Sequence, residues 1–161
     1  MLEPRPHAHQ SENHLIDSRY YWVREGKLDW RDIQSAIDHV DTLWINGYHS
    51  YNGENDRIPE DRVAALGGSL LLVKPENLVI TVGVEGGGAI RSKRKVRARF
   101  ALGNAKYIIA ITDPVVERLY HGKEDGEYPV RDALLCVSIG EPFQGFCYKL
   151  IAAVLTPEVL D

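Results

Sequence analysis

The stretch RSKRKVRARF (residues 91–100) places six basic side chains within nine consecutive positions. All of them except Arg94 have odd residue numbers. In a β-strand such residues lie on one face, whereas in a helix their side chains would be spread around the axis. The opposite parity becomes apolar at Val96, Ala98 and Phe100, as expected of a face that packs on a core. The pattern therefore predicts a strand with a cationic row on its outer face. The row consists of Arg91, Lys93, Lys95, Arg97 and Arg99.

The cationic row belongs to an acidic chain. The 161 residues contain 19 Lys and Arg against 23 Asp and Glu, a formal net charge of −4. Without the six basic residues of the stretch, 13 basic residues oppose those 23 acidic ones, which leaves about −10. An acidic body repels polyanions except along one track, so the row predicts a defined anion site. Protection of an exposed edge strand is the alternative interpretation, because natural sheets use Lys and Arg for that purpose.

Composition excludes several classes of protein. With 44% hydrophobic and 26% charged residues, the chain is typical of a globular protein in water. Its longest apolar runs, at 70–73 and 150–155, are too short to span a bilayer, and residues 1–10 lack the apolar region of a signal peptide. Cys136 and Cys147 cannot build a disulfide framework, and we expect them to pack in the core. The sequence also lacks a P-loop and a G-x-S-x-G elbow. We therefore expect a cytoplasmic protein with no membrane association.

Short strands separated by turn signals account for most of the chain. Helices are predicted at 29–39, with Asp29 as N-cap, at 59–66 after Pro59, and after Asp113-Pro114. Other strands are predicted at 20–23, 42–45, 69–73, 78–84, 106–112, 133–139 and 147–155. Gly103-Asn104 is typical of a hairpin turn that joins the basic strand to the next one. Short strands with such connections favour a small, partly open β-barrel.

The segment WINGYHSYNGENDR (residues 44–57) combines aromatic side chains with amides and an arginine. Aromatic rings can stack on bases, while amides and arginine can contact base edges or phosphate. The alternative is an ordered loop whose aromatic rings pack inward. The candidate nucleic-acid contacts are Trp44, Asn46, Tyr48, His49, Tyr51 and Arg57.

A weaker candidate site lies near the N-terminus. The pair His7-x-His9 would present both rings on one side of a strand, and His14 and Asp17 follow. Nothing in the spacing fixes a complete ligand set, and the polar segment could instead be a hydrogen-bonded loop that clasps the barrel. We therefore predict no metal and no other cofactor.

Four blocks of the sequence together resemble the dual OB-fold domain family. They are HQSENHLID (9–17), the block from LWINGY to NDR (43–57), the block from KRKVRARF to YIIAITDP (93–114), and SIGEPFQGFCYKLIAAV (138–154). The resemblance implies two OB-type barrels in a bacterial protein associated with conflict between hosts and mobile elements. It also implies nucleic-acid or nucleotide binding, and it supplies no catalytic residues.

One departure from the family concerns the start of the chain. Members of the family carry further strands before the position that matches His9, so we expect a first OB-like unit over 1–66 that lacks part of its wall. A second OB-like barrel is predicted over 67–161. Unpaired strand edges attract partners, so we expect a homodimer or a partner chain that completes the first barrel.

These observations predict a mostly β fold with a few short helices, built from two small OB-like β-barrels. The predicted function is binding of single-stranded DNA or RNA in prokaryotic defence, with phosphates on the cationic row and bases on the aromatic loop. A sensor of a small or cyclic nucleotide is the first alternative. A metal-dependent nuclease that uses the histidine cluster is the second, although we predict a binding protein rather than an enzyme.

Overall fold

The computed structural model describes residues 2–4, 10–19, 21, 23, 25–86 and 92–160. His7, His9 and Arg91, which the sequence proposes as metal ligands or phosphate contacts, lie outside the described residues. Of the strand predicted at 20–23, only Tyr21 and Val23 are described, and neither belongs to a strand.

Strands make up most of the regular structure of the described residues. They are β1 (Leu2–Pro4), β2 (His14–Ile16), β3 (Arg57–Pro59), β4 (Leu70–Val73), β5 (Glu76–Glu85), β6 (Lys93–Leu102), β7 (Ala105–Ile111), β8 (Gly126–Pro129), β9 (Leu134–Phe143) and β10 (Phe146–Leu155). The helices are α1 (Trp30–Gln34), α2 (Glu60–Val63), α3 (Pro114–His121) and α4 (Pro157–Leu160). The predicted mostly β class with short helices is confirmed.

Eight of the strands form one sheet, in the order β4-β9-β10-β7-β6-β5-β8, with β3 beside β10. All neighbours are antiparallel except β7 and β10, which run parallel. The sheet remains open over the described ranges, since β4 and β8 form its two ends rather than pairing with each other. Strands β1 and β2 form a separate two-stranded sheet. The division into units at residues 66 and 67 stays a prediction.

The basic stretch forms β6, and β6 is an interior strand. It pairs with β5 on one side and with β7 on the other, and a tight turn at Gly103-Asn104 joins it to β7 as predicted. Gly103 has φ +56°, a conformation that glycine adopts without steric cost. Arg97 and Arg99 of β6 are paired on both sides, so edge protection cannot explain these two cations, whereas the register with β7 does not reach Lys93 and Lys95.

Two predicted helix starts are confirmed by their caps. The Asp29 side chain accepts bonds from the N–H groups of Arg31 and Asp32, and Asp32 bonds back in a capping box. Asp113 accepts from Val115 N at 2.9 Å in the same way. Helix α1 is shorter than the predicted 29–39 because Ser35 ends it, with its hydroxyl donating to Asp32 O at 2.7 Å.

One strand prediction was wrong, and one strand was missed. Residues 42–45 form no strand, because Trp44 has φ +53° and the Leu43 N–H donates to the Tyr107 hydroxyl at 2.9 Å instead of to a neighbouring strand. Strand β8 follows α3, where the sequence predicted no strand, and pairs with β5. Its sequence, GEYP, lacks the apolar alternation that would have revealed it.

The main core lies on one face of the sheet. The apolar residues of β6 (Val96, Ala98 and Phe100) face it together with Val116 and Tyr120 of α3. A smaller cluster consists of Ile58, Val63, Ile139 and Cys147. The predicted burial of Cys147 is confirmed, whereas Cys136 is half-buried, and both thiols are free. No helix among the described residues is long and apolar enough to cross a bilayer.

Candidate functional site

The odd-numbered cations of β6 lie on the face of the sheet opposite the main core, which we call the outer face. Lys93, Lys95, Arg97 and Arg99 alternate with the buried residues Val96, Ala98 and Phe100. The strand therefore presents its charges to one side, as its parity predicts.

Arg97 is held by a carboxylate of the neighbouring strand. Its Nε and Nη2 atoms donate to the two oxygens of Glu85 on β5, at 2.5 Å and 2.8 Å. These bonds are the main cause of the lowered pKa of Glu85, and a side-chain bond from Asn52 lowers that pKa further. Glu85 thus connects the basic strand to the loop at residues 44–57.

The other arginines of β6 also have acidic partners. Arg99 Nη2 lies 2.6 Å from Glu127 on β8, and Arg94 Nη1 lies 2.5 Å from Asp125. Within the described ranges, Lys93 and Lys95 form no salt bridge. Lys93 and Lys95 are therefore the described outer-face cations of β6 that have no acidic partner in a salt bridge.

The two lysines line an open cleft of about 660 Å³, which we call the cationic cleft. The lining residues are Tyr51, Asn52, Val84, Glu85, Gly86, Lys93 and Lys95. Tyr51 is fully exposed, at 101% of its reference area. The fold thus brings the tip of the aromatic loop next to the basic strand. In the sequence, the loop and the strand were two separate candidate sites.

A buried lysine fixes the first part of this loop. Lys149 of β10 is only 1% exposed, and its Nζ atom donates to Ile45 O at 2.8 Å and to Asn46 Oδ1 at 3.1 Å. Burial lowers the pKa of Lys149 to about 7, against the attraction of the Asp56 carboxylate. The Asn46 amide also donates to the Tyr107 hydroxyl at 2.9 Å. Asn46 is therefore a structural anchor in this state.

The second part of the loop is fixed by a buried carboxylate and by strand pairing. Asp56 is 3% exposed and accepts from Ser50 N at 2.7 Å and from the Ser50 hydroxyl. Glu54 pairs through both backbone groups with Ile108 of β7, at 3.1 Å and 3.0 Å. These contacts hold the turn that carries Tyr51.

The remaining loop candidates lie in different environments. The Trp44 indole donates to Gly68 O at 3.1 Å and packs against both clusters of the core. His49 Nδ1 accepts from Asn55 N at 2.9 Å. Tyr48 and Arg57 contact Phe146 and do not line the cationic cleft, and the Arg57 guanidinium lies 4.0 Å from the Phe146 ring centroid.

The proposed metal ligands do not converge within the described part of the chain. His14 is exposed with Nδ1 2.7 Å from Glu12 O, and Asp17 forms a salt bridge with Arg19 at 2.7 Å. No group of three or more His, Cys, Asp or Glu side chains that could hold a metal occurs among the described residues. Glu12 instead accepts from Ser69 N at 2.9 Å, so this segment clasps the start of β4.

The sequence interpretation missed Lys149 and Asp56 as anchors of the loop. The sequence contained one indication that Lys149 is buried, because Lys149 alternates in step with the buried residues Cys147 and Ile151 on β10. A basic residue on a core-facing parity implies a buried polar partner. Asp56 had no such signal, since its burial depends on contacts within an irregular loop.

Comparison with known proteins agrees with this architecture. The family model for the dual OB-containing domain matches residues 1–154. The chain belongs to the dual OB-containing domain family. The resemblance read from the four sequence blocks is thus confirmed. No curated protein and no solved structure matches the chain.

The burial of Lys149 predicts a pH dependence of stability. Its folded pKa of about 7 lies below the ordinary value of 10.5, so the unfolded state binds more protons between these values. Stability should therefore rise with pH above about 7, by up to about 1.4 kcal/mol per pH unit. Urea unfolding between about pH 7 and pH 8 measures this slope below the pKa values of the thiols, which burial raises.

Lys149→Met should remove that slope, because the buried ionisable group is gone. Lys74→Met, at an exposed position, is the matched control and should keep the slope of the wild type. A slope that is the same in the Lys149→Met variant and the wild type would contradict the assignment of the titration to Lys149.

Proposed function

We propose that this protein binds single-stranded nucleic acid in the cationic cleft. The observation that carries the proposal is the juxtaposition of a fully exposed tyrosine with two lysines that form no salt bridge among the described residues. Lys93 and Lys95 contact phosphates, and the Tyr51 ring stacks on a base. Asn52 lines the same cleft and contacts a base edge. Aromatic stacking beside a cationic track is the usual design of single-strand sites.

A single strand suits the cleft better than a duplex. The face of the Tyr51 ring can stack only on a base that is free of its own neighbour, and such bases occur in single strands, loops and ends. The face of an OB-type sheet is also the surface that binds oligonucleotides in many OB-folds. Membership of the dual OB-containing domain family supports the proposal at this level.

The arginines of β6 take a secondary part in this proposal. A phosphate that contacts Arg97 or Arg99 competes with Glu85 or Glu127 for the guanidinium. The two lysines form no salt bridge among the described residues, although Glu85 attracts Lys95 at longer range, so they make the first phosphate contacts. Arg97 and Arg99 contribute only where a phosphate displaces the carboxylate.

A sensor of a small or cyclic nucleotide is the second candidate, and the size of the cleft supports it. A volume of about 660 Å³ lies in the range of about 300–1,000 Å³ that is typical of small-ligand sites. The two functions differ in their dependence on length, because one nucleotide fills a sensor whereas a strand gains contacts as it lengthens.

Fluorescence anisotropy of labelled oligonucleotides tests the proposal. We expect single-stranded DNA or RNA to bind more tightly than a duplex of the same length. Affinity should fall as salt rises, with a log–log slope of about one unit for each phosphate contacted. Saturation by a mononucleotide, with no gain for longer strands, would favour the sensor. Failure of every polymer and every nucleotide to bind would contradict both functions.

The role in prokaryotic defence, the cytoplasmic location and the homodimer or partner chain all stay predictions. Binding of a single strand is compatible with defence against mobile elements, whose replication and transcription expose such strands.

A further inference from the structure

A second patch with arginines and aromatic rings lies outside the cationic cleft, and we call it the arginine–aromatic cluster. It consists of Arg57, Arg62, Tyr48 and Phe146. The Arg57 guanidinium lies 4.0 Å from the Phe146 centroid, and that of Arg62 lies 5.7 Å from the Tyr48 centroid. The ring centroids of Tyr48 and Phe146 lie 6.3 Å apart, and the ring planes are inclined at 53° to each other. The four side chains thus form one continuous chain of contacts.

Regular structure holds the members of the cluster in place. Arg57 opens β3 and pairs with Tyr148, while Phe146 opens β10 and pairs with Pro59. Arg62 lies on α2, which directly follows β3. Phe143 pairs with Phe146 across the hairpin turn, and its side chain is 61% exposed. An accessible aromatic ring therefore lies at the border of the cluster.

The two arginines of the cluster differ from those of β6. Neither Arg57 nor Arg62 forms a salt bridge with a described residue. The Arg57 Nε atom is buried and has no hydrogen-bond partner there. An unsatisfied buried donor is costly, so the Arg57 guanidinium keeps unused hydrogen-bonding capacity. Guanidinium groups that stack on rings also keep their edges free for phosphate.

The cluster and the cationic cleft lie on either side of the same loop. Tyr48 contacts Phe146 of β10, while Tyr51 lines the cleft beside β6, and β7 separates these two strands in the sheet. The Cα atoms of Tyr48 and Tyr51 can be at most about 11 Å apart, since the two residues are three positions apart in the chain. A strand of a few nucleotides can therefore reach both sites.

We propose that the arginine–aromatic cluster is a second contact site for the same single strand, with a phosphate on Arg57 and Arg62 and a base on Phe143. This inference rests on the proposed function and extends it to the path of the strand across the loop. Glu60 and Glu141, whose charges add to the effect of burial in raising the pKa of Cys147, lie near the cluster. These two carboxylates repel the phosphates of a long polyanion, so the strand contacts the cluster over a short length.

Arg62→Gln/Phe143→Ser tests the inference, because both side chains are exposed and their loss should not affect folding. Anisotropy is measured with a labelled dinucleotide and a labelled dodecanucleotide. The dinucleotide should bind as it does to the wild type, whereas the dodecanucleotide should bind about tenfold more weakly. Arg57→Gln should give the same pattern. The matched control is Arg118→Gln/Leu119→Ser on α3, which packs on the core face of the sheet.

The possible results separate the inference from the proposed function. Selective loss of dodecanucleotide affinity, with the control unchanged, supports the second contact site. Wild-type affinity of the variant for both probes overturns it and leaves the cationic cleft as the whole site, with the cluster free for a protein partner. Failure of the wild type to bind either probe overturns the proposed function and the inference together.

Discussion

Lys93→Glu/Lys95→Glu is expected to weaken the binding of single-stranded nucleic acid by about a hundredfold or more at low salt. The reason is that Lys93 and Lys95 are the outer-face cations of β6 that form no salt bridge among the described residues, while Arg97 and Arg99 are paired with Glu85 and Glu127. Reversal of both charges replaces two attractions with two repulsions. Anisotropy of a labelled dodecanucleotide measures the loss.

The milder variant Lys93→Gln/Lys95→Gln should lower the slope of log affinity against log salt by about two units, one for each phosphate contact removed. Lys74→Glu/Arg118→Glu changes the net charge of the protein as much as Lys93→Glu/Lys95→Glu but alters exposed residues that do not line the cleft. It should bind nearly as well as the wild type. An equal loss in both glutamate variants would mean that only net charge matters, and would exclude the cleft as the site.

Gly53→Ala is expected to lower the free energy of unfolding by about 3 kcal/mol. A Cβ atom at this position would lie 1.8 Å from Asp56 Oδ2 and 2.1 Å from its Cγ. Asp56 cannot move away without cost, because it is buried and holds both Ser50 N and the Ser50 hydroxyl. The substitution therefore breaks the hydrogen bonds of Asp56 that hold the turn that carries Tyr51. Thermal unfolding should show a midpoint lower by roughly 6–12 °C.

Gly122→Ala is the matched control, because no atom lies within 4 Å of a Cβ there and its φ of −86° suits alanine. It should change stability by less than about 0.5 kcal/mol. A Gly53→Ala variant as stable as this control would contradict the packing of Asp56 against Gly53. Because the turn also positions Tyr51, Gly53→Ala should lose affinity for single strands even below its unfolding temperature.

Features fixed by local rules were predictable from the sequence. The parity of the cations identified the outer face of β6, the Gly103-Asn104 pair identified the hairpin, and the caps at Asp29 and Asp113 identified two helix starts. Each of these depends on residues only a few positions apart, where propensity and capping dominate. The candidate site was found as two separate pieces, the basic strand and the aromatic loop.

Features fixed by distant contacts were not predictable. Residues 42–45 have an apolar sequence typical of a strand, yet their backbone bonds to Tyr107 and Lys149, which lie far along the chain. The pairing of Arg97 with Glu85 depends on the register between β5 and β6. No short-range pattern encodes such contacts, because tertiary packing overrides local propensity. For this reason the sequence alone assigned all the cations of the row an equal role.

The most direct test of the central claim is an NMR titration of the isotope-labelled protein with an unlabelled single-stranded oligonucleotide. The amide signals of Tyr51, Asn52, Glu85, Lys93 and Lys95 should shift on binding, while that of Arg118 on α3 should not. Shifts concentrated on these residues would establish the cationic cleft as the binding site. An absence of shifts at saturating oligonucleotide, or shifts confined to another surface, would contradict the account.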